Sequence, residues 1–285
     1  MSESILYLVA TPIGNLGDLS PRAREVLSSV DFIAAEDTRV TQKLLTACSL
    51  PRKPLISYYE HNRRARGEEV LAKLLAGESC ALVTDAGTPA VSDPGEDLVA
   101  LCAEHSVPVV PIPGCCAAVC ALTASGLPTG RWCFEGFLSV NKKARRAHLD
   151  ALQDEKRTMI FYEAPHKLCA TLRDLAEAFG GERRISLSRE LTKLHEETLR
   201  MTLAEAIAYF DQTPPRGEFV LIVEGAPDEP ETSQDEQERL AAAAAEVRRR
   251  MAEGQTQKDA VKAVSAAAGI KKNALYRYVL EDSAE

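Results

Sequence analysis

The stretch VTDAGTPAVSDPG, from Val83 to Gly95, holds residue types that could carry out chemistry. Its aspartates could bind a metal or move protons, and its glycines could let a phosphate or a cofactor approach the backbone closely. The stretch follows a short apolar run, CALV, which is typical of a buried strand. Two more loops rich in glycine and proline, Thr11–Asn15 and Pro111–Gly114, also follow apolar runs. The three loops are therefore candidates for one shared site.

The composition of these loops argues against several kinds of binding site. A phosphate-binding P-loop needs a lysine beside its glycines, and none of the three loops contains lysine. A dinucleotide-binding fingerprint needs a third glycine at fixed spacing, whereas TPIGNLGD has only Gly14 and Gly17. A transition-metal site would favour histidine, which the first two loops lack, although an oxygen-only Mg²⁺ site stays an alternative. We therefore predict no metal site.

The remaining alternative is a neutral or zwitterionic cofactor held by backbone groups and apolar contacts. The small residues Ala86, Gly87 and Thr88 would let such a ligand approach the backbone. Simple turn residues are the competing interpretation for any one loop, but three such loops at successive strand ends favour a cofactor site. On this interpretation, Asp85 and Asp93 shape the loop rather than act as an acid–base pair.

Two other polar segments, AEDTR and YYEHN, supply the candidate catalytic residues Asp37, Arg39, Glu60 and His61. The imidazole of His61 changes its charge near neutral pH, and either carboxylate could accept a proton or orient the group that does. Arg39 could bind a phosphate or pair with a neighbouring acid. For each residue, a solvated loop position or a structural ion pair is the alternative, and the sequence does not identify the base.

A second polar set lies further along the chain. Glu163 and His166 belong to YEAPHKL, and Arg189, Glu190 and Lys193 belong to RELTK. Both segments follow strand-like runs, so these side chains could face a substrate across a cleft. Structural hydrogen bonds within a second domain are the alternative.

The order of the predicted elements suggests how the loops are positioned. Strand-like runs alternate with helix-like segments over residues 1–118, which predicts a parallel α/β domain with ligands beyond the carboxyl ends of its strands. Residues 119–227 predict a second α/β domain with more antiparallel pairing. Residues 228–238 lack apolar side chains and are rich in acid, which is typical of a linker. Residues 239–285 predict a small helical tail.

The charge of the chain limits its partners. The 285 residues carry a formal net charge of −8, which excludes a uniformly basic nucleic-acid binder but not a local basic face. Cations cluster in NRRAR, NKKARR, RRR and KK, and tyrosines near the last cluster make the tail a candidate RNA-docking module. A solvated helix face is the alternative for each cluster. The predicted RNA-binding residues are Arg63, Arg64, Lys142, Lys143, Arg145, Arg146, Lys271 and Lys272.

The cysteines and the hydropathy indicate a compartment. None of the eight cysteines forms a CxxC pair and most lie in apolar stretches, which predicts reduced thiols and a cytoplasmic location. The segment MSESILYLVA has no basic region and predicts a first strand rather than a signal peptide. No apolar run approaches the roughly 18 residues of a membrane-spanning helix, so we expect no membrane partner.

Seven motifs together resemble a known family. In chain order they are LYLVATPIGNLGDLSPRAREVL, AEDTR, TDAGTPAVSDPG, PIPGCCAAVCALTASGLPT, FEGFL, FYEAPHKL and RELTK. Their order and number are specific, they cover most of Leu6–Gly225, and the tail KKNALYRYVLE is also similar. The chain resembles the tetrapyrrole-methylase superfamily. AEDTR and YEAPHKL separate it from the corrin and siroheme methylases and favour the branch that acts on ribosomal RNA.

This resemblance implies two α/β domains with S-adenosylmethionine in the cleft between them, followed by a helical module. The residues that it implies for cofactor binding are Pro12, Ala86, Gly87, Thr88, Val91, Ser92, Cys116, Ala117 and Tyr162. The family usually has a small residue and a serine where this chain has Cys115 and Cys116. Because a thiol is a weak hydrogen-bond partner, we expect backbone contacts there.

The reaction that the resemblance implies is methylation of the ribose 2′-hydroxyl of a cytidine in the decoding region of 16S ribosomal RNA. The implied partner is this RNA or the small ribosomal subunit, and the implied assembly is a homodimer. A methylase of a tetrapyrrole or other small molecule is one alternative, against which the basic clusters and the tail argue. A non-catalytic RNA-binding assembly factor is another, and it predicts no binding of S-adenosylmethionine.

Overall fold

The first part of the chain folds into a parallel sheet with helices on both faces. The computed structural model describes residues 4–227, 233–268, 270 and 272–281. The strands are β1 Leu6–Val9, β2 Phe32–Ala35, β3 Leu55–Ser57, β4 Cys80–Val83 and β5 Val109–Ile112, in the order β3-β2-β4-β1-β5. The helices are α1 Pro21–Ser29, α2 Thr38–Ala47, α3 Arg63–Leu75 and α4 Glu96–Glu104. The predicted parallel α/β architecture is confirmed.

Local signals explain where these elements begin. The Ser20 hydroxyl accepts a hydrogen bond from the Ala23 N–H (3.1 Å), and Pro21 occupies the first turn of α1, as the sequence predicts. The Asp37 carboxylate caps α2 by accepting from the Arg39 N–H (2.8 Å). The apolar strands FIAA and CALV are buried along their whole length, as expected for strands covered on both faces.

The strand order decides which loops can meet. β4 and β1 are neighbours near the middle of the sheet, with β5 beside β1 and β2 beside β4. All the pairings are parallel, so the carboxyl ends of the strands lie on one side of the sheet. The loops after β1, β4 and β5 are therefore adjacent, whereas the loop after β3 lies at the edge.

A second sheet follows. Its strands are β6 Trp132–Phe137, β7 Thr158–Glu163, β8 Arg184–Arg189, β9 Glu197–Thr202 and β10 Phe219–Val223, in the order β6-β7-β10-β8-β9. β6 and β7 pair in parallel and the other pairings are antiparallel, in agreement with the expected antiparallel character. Its helices are α5 Ala117–Ala124, α6 Lys142–Ala151, α7 Pro165–Phe179 and α8 Leu203–Gln212.

Helix α5 joins the two sheets. Its residues Ala118, Ala121 and Leu122 pack with Ile160 of β7 and Val220 of β10, on one face of the second sheet. The core of the opposite face includes residues of α7 and α8. The predicted domain boundary after residue 118 therefore falls inside a helix that already belongs to the core of the second sheet.

A separate compact unit begins at Pro227. Its helices are α9 Ser233–Ala252, α10 Gln257–Ala268 and α11 Lys272–Glu281, and their core includes Val247, Val261 and Leu275. The predicted helical tail is present, although α9 begins within the predicted linker at 228–238. Residues 228–232 of that linker, and the predicted RNA-binding residue Lys271, lie outside the described residues. No described helix is long and apolar enough to cross a membrane.

Candidate active site

A cavity of about 350 Å³ lies between the carboxyl ends of the first sheet and the second sheet. Its size lies within the range of about 300–1,000 Å³ that small-molecule sites occupy. The first sheet contributes Ile13 after β1, Glu36 after β2 and the loop after β4, and residues 116–117 follow β5. The second sheet contributes residues near the ends of β6, β7 and β8 and at the start of β10.

The loops of the first sheet are fixed to each other by backbone hydrogen bonds. Thr11 and Gly87 form an antiparallel bridge, in which the Thr11 N–H donates to the Gly87 carbonyl (2.8 Å) and the Gly87 N–H donates to the Thr11 carbonyl (3.1 Å). The Thr88 hydroxyl donates to the Cys115 carbonyl (2.8 Å). Gly87 has a φ of +93°, which favours glycine, and a Cβ there would lie 3.5 Å from the Ile13 side chain. The backbone itself therefore shapes this wall.

The opposite wall is aromatic. The ring of Tyr162 contacts the rings of Phe134 and Phe137, at centroid distances of 5.1 and 5.5 Å. Its hydroxyl accepts a hydrogen bond from the Ala118 N–H (3.2 Å) at the start of α5. Burial, followed by the nearby Cys116 thiol, raises the pKa of Tyr162 to about 12, so the phenol stays neutral at physiological pH.

Three carboxylates gather around the buried Thr84. The Thr84 hydroxyl and the Asp85 N–H both donate to Glu36 Oε2, at 2.5 and 3.2 Å. Asp85 Oδ1 accepts from the Asp37 N–H (3.1 Å), which agrees with a loop-shaping role. Burial raises the pKa of Asp93 to about 6; the Thr84 hydroxyl opposes this shift, and the charges of Glu36 and Asp85 add to it. Burial and then Glu36 also raise the pKa of Asp85.

The second sheet adds a lysine, Lys193, that is paired with two carboxylates. The Lys193 ammonium lies 3.0 Å from Glu190 and 3.1 Å from Glu218. Burial opposes its charge, but these hydrogen bonds outweigh burial and raise its pKa. The buried Glu163 accepts from the Thr171 hydroxyl (2.5 Å) and from the Ala164 N–H (2.9 Å). Of the second polar set in the sequence, Glu163, Glu190 and Lys193 therefore line the cavity.

The structure brings most of the predicted cofactor-binding residues together. Every one of them lines the cavity except Pro12, whose neighbour Ile13 does so instead. Sequence reasoning pointed to the polar segment AEDTR but did not place its Glu36 in the cavity. It also missed Ser188, Glu218 and Phe219, for which the sequence offers no signal, because the pairing within the second sheet brings them to the cavity.

The candidate catalytic residues do not line the cavity. Asp37 is beside it and forms an ion pair with Arg39 (2.6 Å), which lowers the pKa of Asp37 to about 2. Glu60 follows the edge strand β3 and lies 3.4 Å from Arg63. His61 lines a separate surface depression. A catalytic role for these residues stays a prediction.

The predicted RNA-binding cations differ in how they are paired. Arg63 also contacts Asp97 (3.0 Å), Arg145 contacts Asp174 (2.6 Å), and Arg146 contacts Glu177 (2.7 Å). Arg64, Lys142, Lys143 and Lys272 are exposed. All eight cysteines are free thiols. Among the described residues, no group of three or more histidines, cysteines or acids could hold a metal ion.

Comparison with known proteins adds a family and several relatives. The family described as Tetrapyrrole (Corrin/Porphyrin) Methylases matches residues 5–207. The chain is 50% identical over 281 residues to the ribosomal RNA small subunit methyltransferase I of Synechocystis sp., with 99% of each protein covered. It is 45% identical over 285 residues to the Escherichia coli O157:H7 protein of the same name, with 98% of this chain and 96% of the relative covered.

Solved structures agree with the fold. The cobalt precorrin-4 methyltransferase matches with a TM-score of 0.57 at 16% identity, covering 78% of this chain and 95% of that protein. The uroporphyrin-III C-methyltransferase of Thermus thermophilus, complexed with S-adenosylhomocysteine, matches with a TM-score of 0.53 at 19% identity, covering 77% and 96%. At these identities the likeness concerns the fold alone.

Proposed function

The chain belongs to the tetrapyrrole (corrin/porphyrin) methylase family, and on that premise we propose that it methylates the ribose 2′-hydroxyl of a cytidine in 16S ribosomal RNA. The chain is a methyltransferase, and its relatives named ribosomal RNA small subunit methyltransferase I match it over nearly their full length. That full-length match is the observation that carries the substrate class. The structural neighbours named for uroporphyrin-III or cobalt precorrin-4 match at 16–20% identity and support only the fold.

The cavity fits S-adenosylmethionine in size and in character. A ligand that carries an amino-acid group and an adenine ring needs a wall of accessible backbone groups for the amino-acid group and an apolar surface for the ring. Residues 86–88 provide the first, with Gly87 leaving open the space that a Cβ would fill. Phe137 and Tyr162 provide the second. We propose that these residues, together with Val91, Ser92, Cys116 and Ala117, hold the cofactor, and that backbone groups make the contacts at Cys116.

The work of the protein in this reaction is mainly positioning. When bound, S-adenosylmethionine supplies a methyl group on a positively charged sulfur, which is a good leaving group. The rigid loop pair at Thr11 and Gly87 would fix the donor, so that the ribose oxygen can approach the methyl carbon in line with the breaking bond. The hydroxyl proton must also leave, and a positioned base would contribute about 10²–10⁴-fold. We retain Glu60, His61 and Asp37 as candidates for accepting or guiding this proton, and Arg39 as a candidate for binding a phosphate of the substrate.

The RNA would bind through cations outside the cavity. Lys142 and Lys143 at the start of α6 are exposed, and no ion pair is seen for either within residues 4–227. Arg64 on α3 is exposed beside His61. In the tail, Lys272 and Tyr276 are exposed at the start of α11 and could contact phosphate and base, respectively. The homodimer and the cytoplasmic location are also part of the proposal, and the free thiols support the latter.

One transfer experiment tests the function. The protein is incubated with labelled S-adenosylmethionine and one of three acceptors: small ribosomal subunits lacking the modification, free 16S RNA, or uroporphyrinogen. We expect label in the subunit or in the RNA, and digestion followed by mass spectrometry should identify 2′-O-methylcytidine. Methylation of the tetrapyrrole alone would contradict the proposal. Failure to bind S-adenosylmethionine would favour the non-catalytic assembly factor.

A further inference from the structure

The cavity contains three carboxylates for which no ion pair is seen within residues 4–227. Glu36 follows β2, and Asp85 and Asp93 belong to the loop after β4; the Thr84 hydroxyl interacts with Glu36 and with Asp93. Among the lining residues, all of them within 4–227, Lys193 is the only basic side chain. Its ammonium already contacts Glu190 and Glu218 on the second sheet. The three carboxylates, called here the acidic cluster, therefore line the cavity without an ion-pair partner among the described residues around it.

The raised pKa values of Asp93 and Asp85 agree with this geometry. Burial is the largest cause of the raised pKa of Asp93, and the charges of Glu36 and Asp85 contribute as well. The Arg39 guanidinium forms its ion pair with Asp37 (2.6 Å), and its weaker effect on Asp85 leaves the pKa of Asp85 raised by burial and by Glu36. A cation that entered the cavity would relieve this repulsion, whereas a neutral molecule would not.

The substrate and the product of the proposed reaction differ by such a charge. S-adenosylmethionine has a sulfonium and an ammonium against one carboxylate, so it is a net cation. S-adenosylhomocysteine has a neutral thioether and is a net zwitterion. Apart from the methyl group, the two offer the same adenosine and amino-acid groups to the protein. Contacts with the backbone of residues 86–88 therefore bind both molecules alike, and only an electrostatic feature of the cavity separates them strongly.

We propose that Glu36, Asp85 and Asp93 select the charged methyl donor over its neutral product and thereby promote product release. The inference rests on the proposed function, because it takes S-adenosylmethionine as the ligand. Two opposite charges about 6 Å apart, at an effective dielectric constant of about 20, attract strongly enough to change affinity by at least about tenfold. The acidic cluster thus distinguishes the two molecules by their charge, whereas the remaining contacts of the cavity bind both alike.

Binding constants test the inference without turnover. Isothermal titration calorimetry compares S-adenosylmethionine, S-adenosylhomocysteine and sinefungin, in which a protonated amine on carbon replaces the methylated sulfur. The wild-type protein should bind both cationic ligands at least about tenfold more tightly than S-adenosylhomocysteine. Asp93→Asn and Glu36→Gln should bring this ratio to within about threefold by weakening only the cations. Glu25→Gln, which removes an exposed carboxylate of α1 outside the cavity, should leave the ratio unchanged.

A structural role for Asp93 predicts a different result. If the substitution only deformed the loop, affinity for all three ligands would fall together, and this outcome would overturn the inference. Equal affinity of the wild-type protein for the donor and the product would overturn it as well, while leaving the methylase function intact. If none of the ligands binds, the proposed function fails, and the inference fails with it.

Proton release gives an independent readout. Titrations near pH 6, in buffers with different heats of ionisation, should show that cationic ligands displace more protons than S-adenosylhomocysteine, because they favour the charged form of Asp93. The other titratable groups that line or adjoin the cavity are Glu36, Asp37, Arg39, Asp85, Cys116, Tyr162, Glu163, Glu190, Lys193 and Glu218. Asp93→Asn should remove most of the difference. Equal proton release for all ligands would contradict the inference.

Discussion

Two polar clusters follow neighbouring strands of the same parallel sheet, yet they occupy different environments. The acidic cluster of Glu36, Asp85 and Asp93 follows β2 and β4 and faces the cavity. The segment of Glu60 and His61 follows the edge strand β3, where Glu60 contacts Arg63 and His61 lies on an exposed surface. The comparison teaches that strand order decides which polar loops reach the cavity: β2 and β4, which the acidic cluster follows, pair with each other, whereas β3 pairs with β2 at one edge of the sheet.

The strongest test of this comparison is to block the cavity. Gly87→Leu should abolish cofactor binding, with a loss of at least about 100-fold, because the side chain would project from the wall beside Ile13. Gly77→Leu is the matched control, since Gly77 has a similar φ of +96° but nothing within 4 Å of its Cβ position. Both variants should lose similar stability in thermal denaturation. Unchanged affinity in Gly87→Leu would show that the cofactor binds elsewhere.

The edge segment can be tested by removing its candidate base. Glu60→Gln and His61→Ala should bind the cofactor like the wild-type protein, because neither residue lines the cavity. If the proton passes through this segment, turnover on small subunits should fall by about 100-fold in at least one variant. Single-turnover rates and calorimetry measure the two effects separately. Wild-type turnover in both variants would exclude the pair from proton transfer.

A smaller effect, on RNA binding, should distinguish Arg64 from Arg63 at the start of α3. Arg64→Ala should weaken RNA binding by about fivefold and reduce its salt dependence, because the exposed guanidinium is available to a phosphate. Arg63→Ala should have less effect, since Arg63 already contacts Glu60 and Asp97. Filter binding at several salt concentrations gives both quantities. A larger loss in Arg63→Ala would mean that RNA displaces these ion pairs.

The smallest predicted effect concerns stability. The folded-state pKa of Asp93 is about 6, above its ordinary value of 3.8, so stability is fully present below pH 3.8 and is lost as the pH rises through about 6. Asp93→Asn should therefore stabilise the protein at pH 7.5 by about 1 kcal/mol, after allowance for screening by solvent, or about 2–4 °C in the unfolding midpoint. The difference should vanish near pH 4. Destabilisation at both pH values would indicate a purely structural role.

Much of the fold follows from local sequence signals. The apolar strand segments, the cap at Ser20 and the proline after it specify the first sheet and its helices without tertiary information. The loop after β4 is recognisable as a candidate cofactor wall because similar loops follow β1 and β5, which favours a shared site over simple turns. Strand order does not follow from local signals. The sequence therefore did not reveal that the YYEHN loop lies at the edge.

The other half of the cavity depends on long-range pairing. Ser188, Lys193 and Glu218 come from β8, the turn after it and the residue before β10, which antiparallel pairing places together. Ser188 and Glu218 have no local signature, because each is an ordinary polar residue in or next to a strand, whereas the motif RELTK already pointed to Lys193. The segment AEDTR did draw attention to Glu36, which follows the apolar strand β2, but not to its place in the cavity. The acidic cluster as a whole required the parallel pairing of β2 with β4.

Helix α5 connects the cavity to the core of the second sheet. Its first residues line the cavity, its body packs into the core of the second sheet, and the Tyr162 hydroxyl accepts a hydrogen bond at its start. A ligand in the cavity would therefore contact both sheets, which α5 already connects. Binding should stiffen both sheets at once and slow amide hydrogen exchange in α5 and in the strands beneath it.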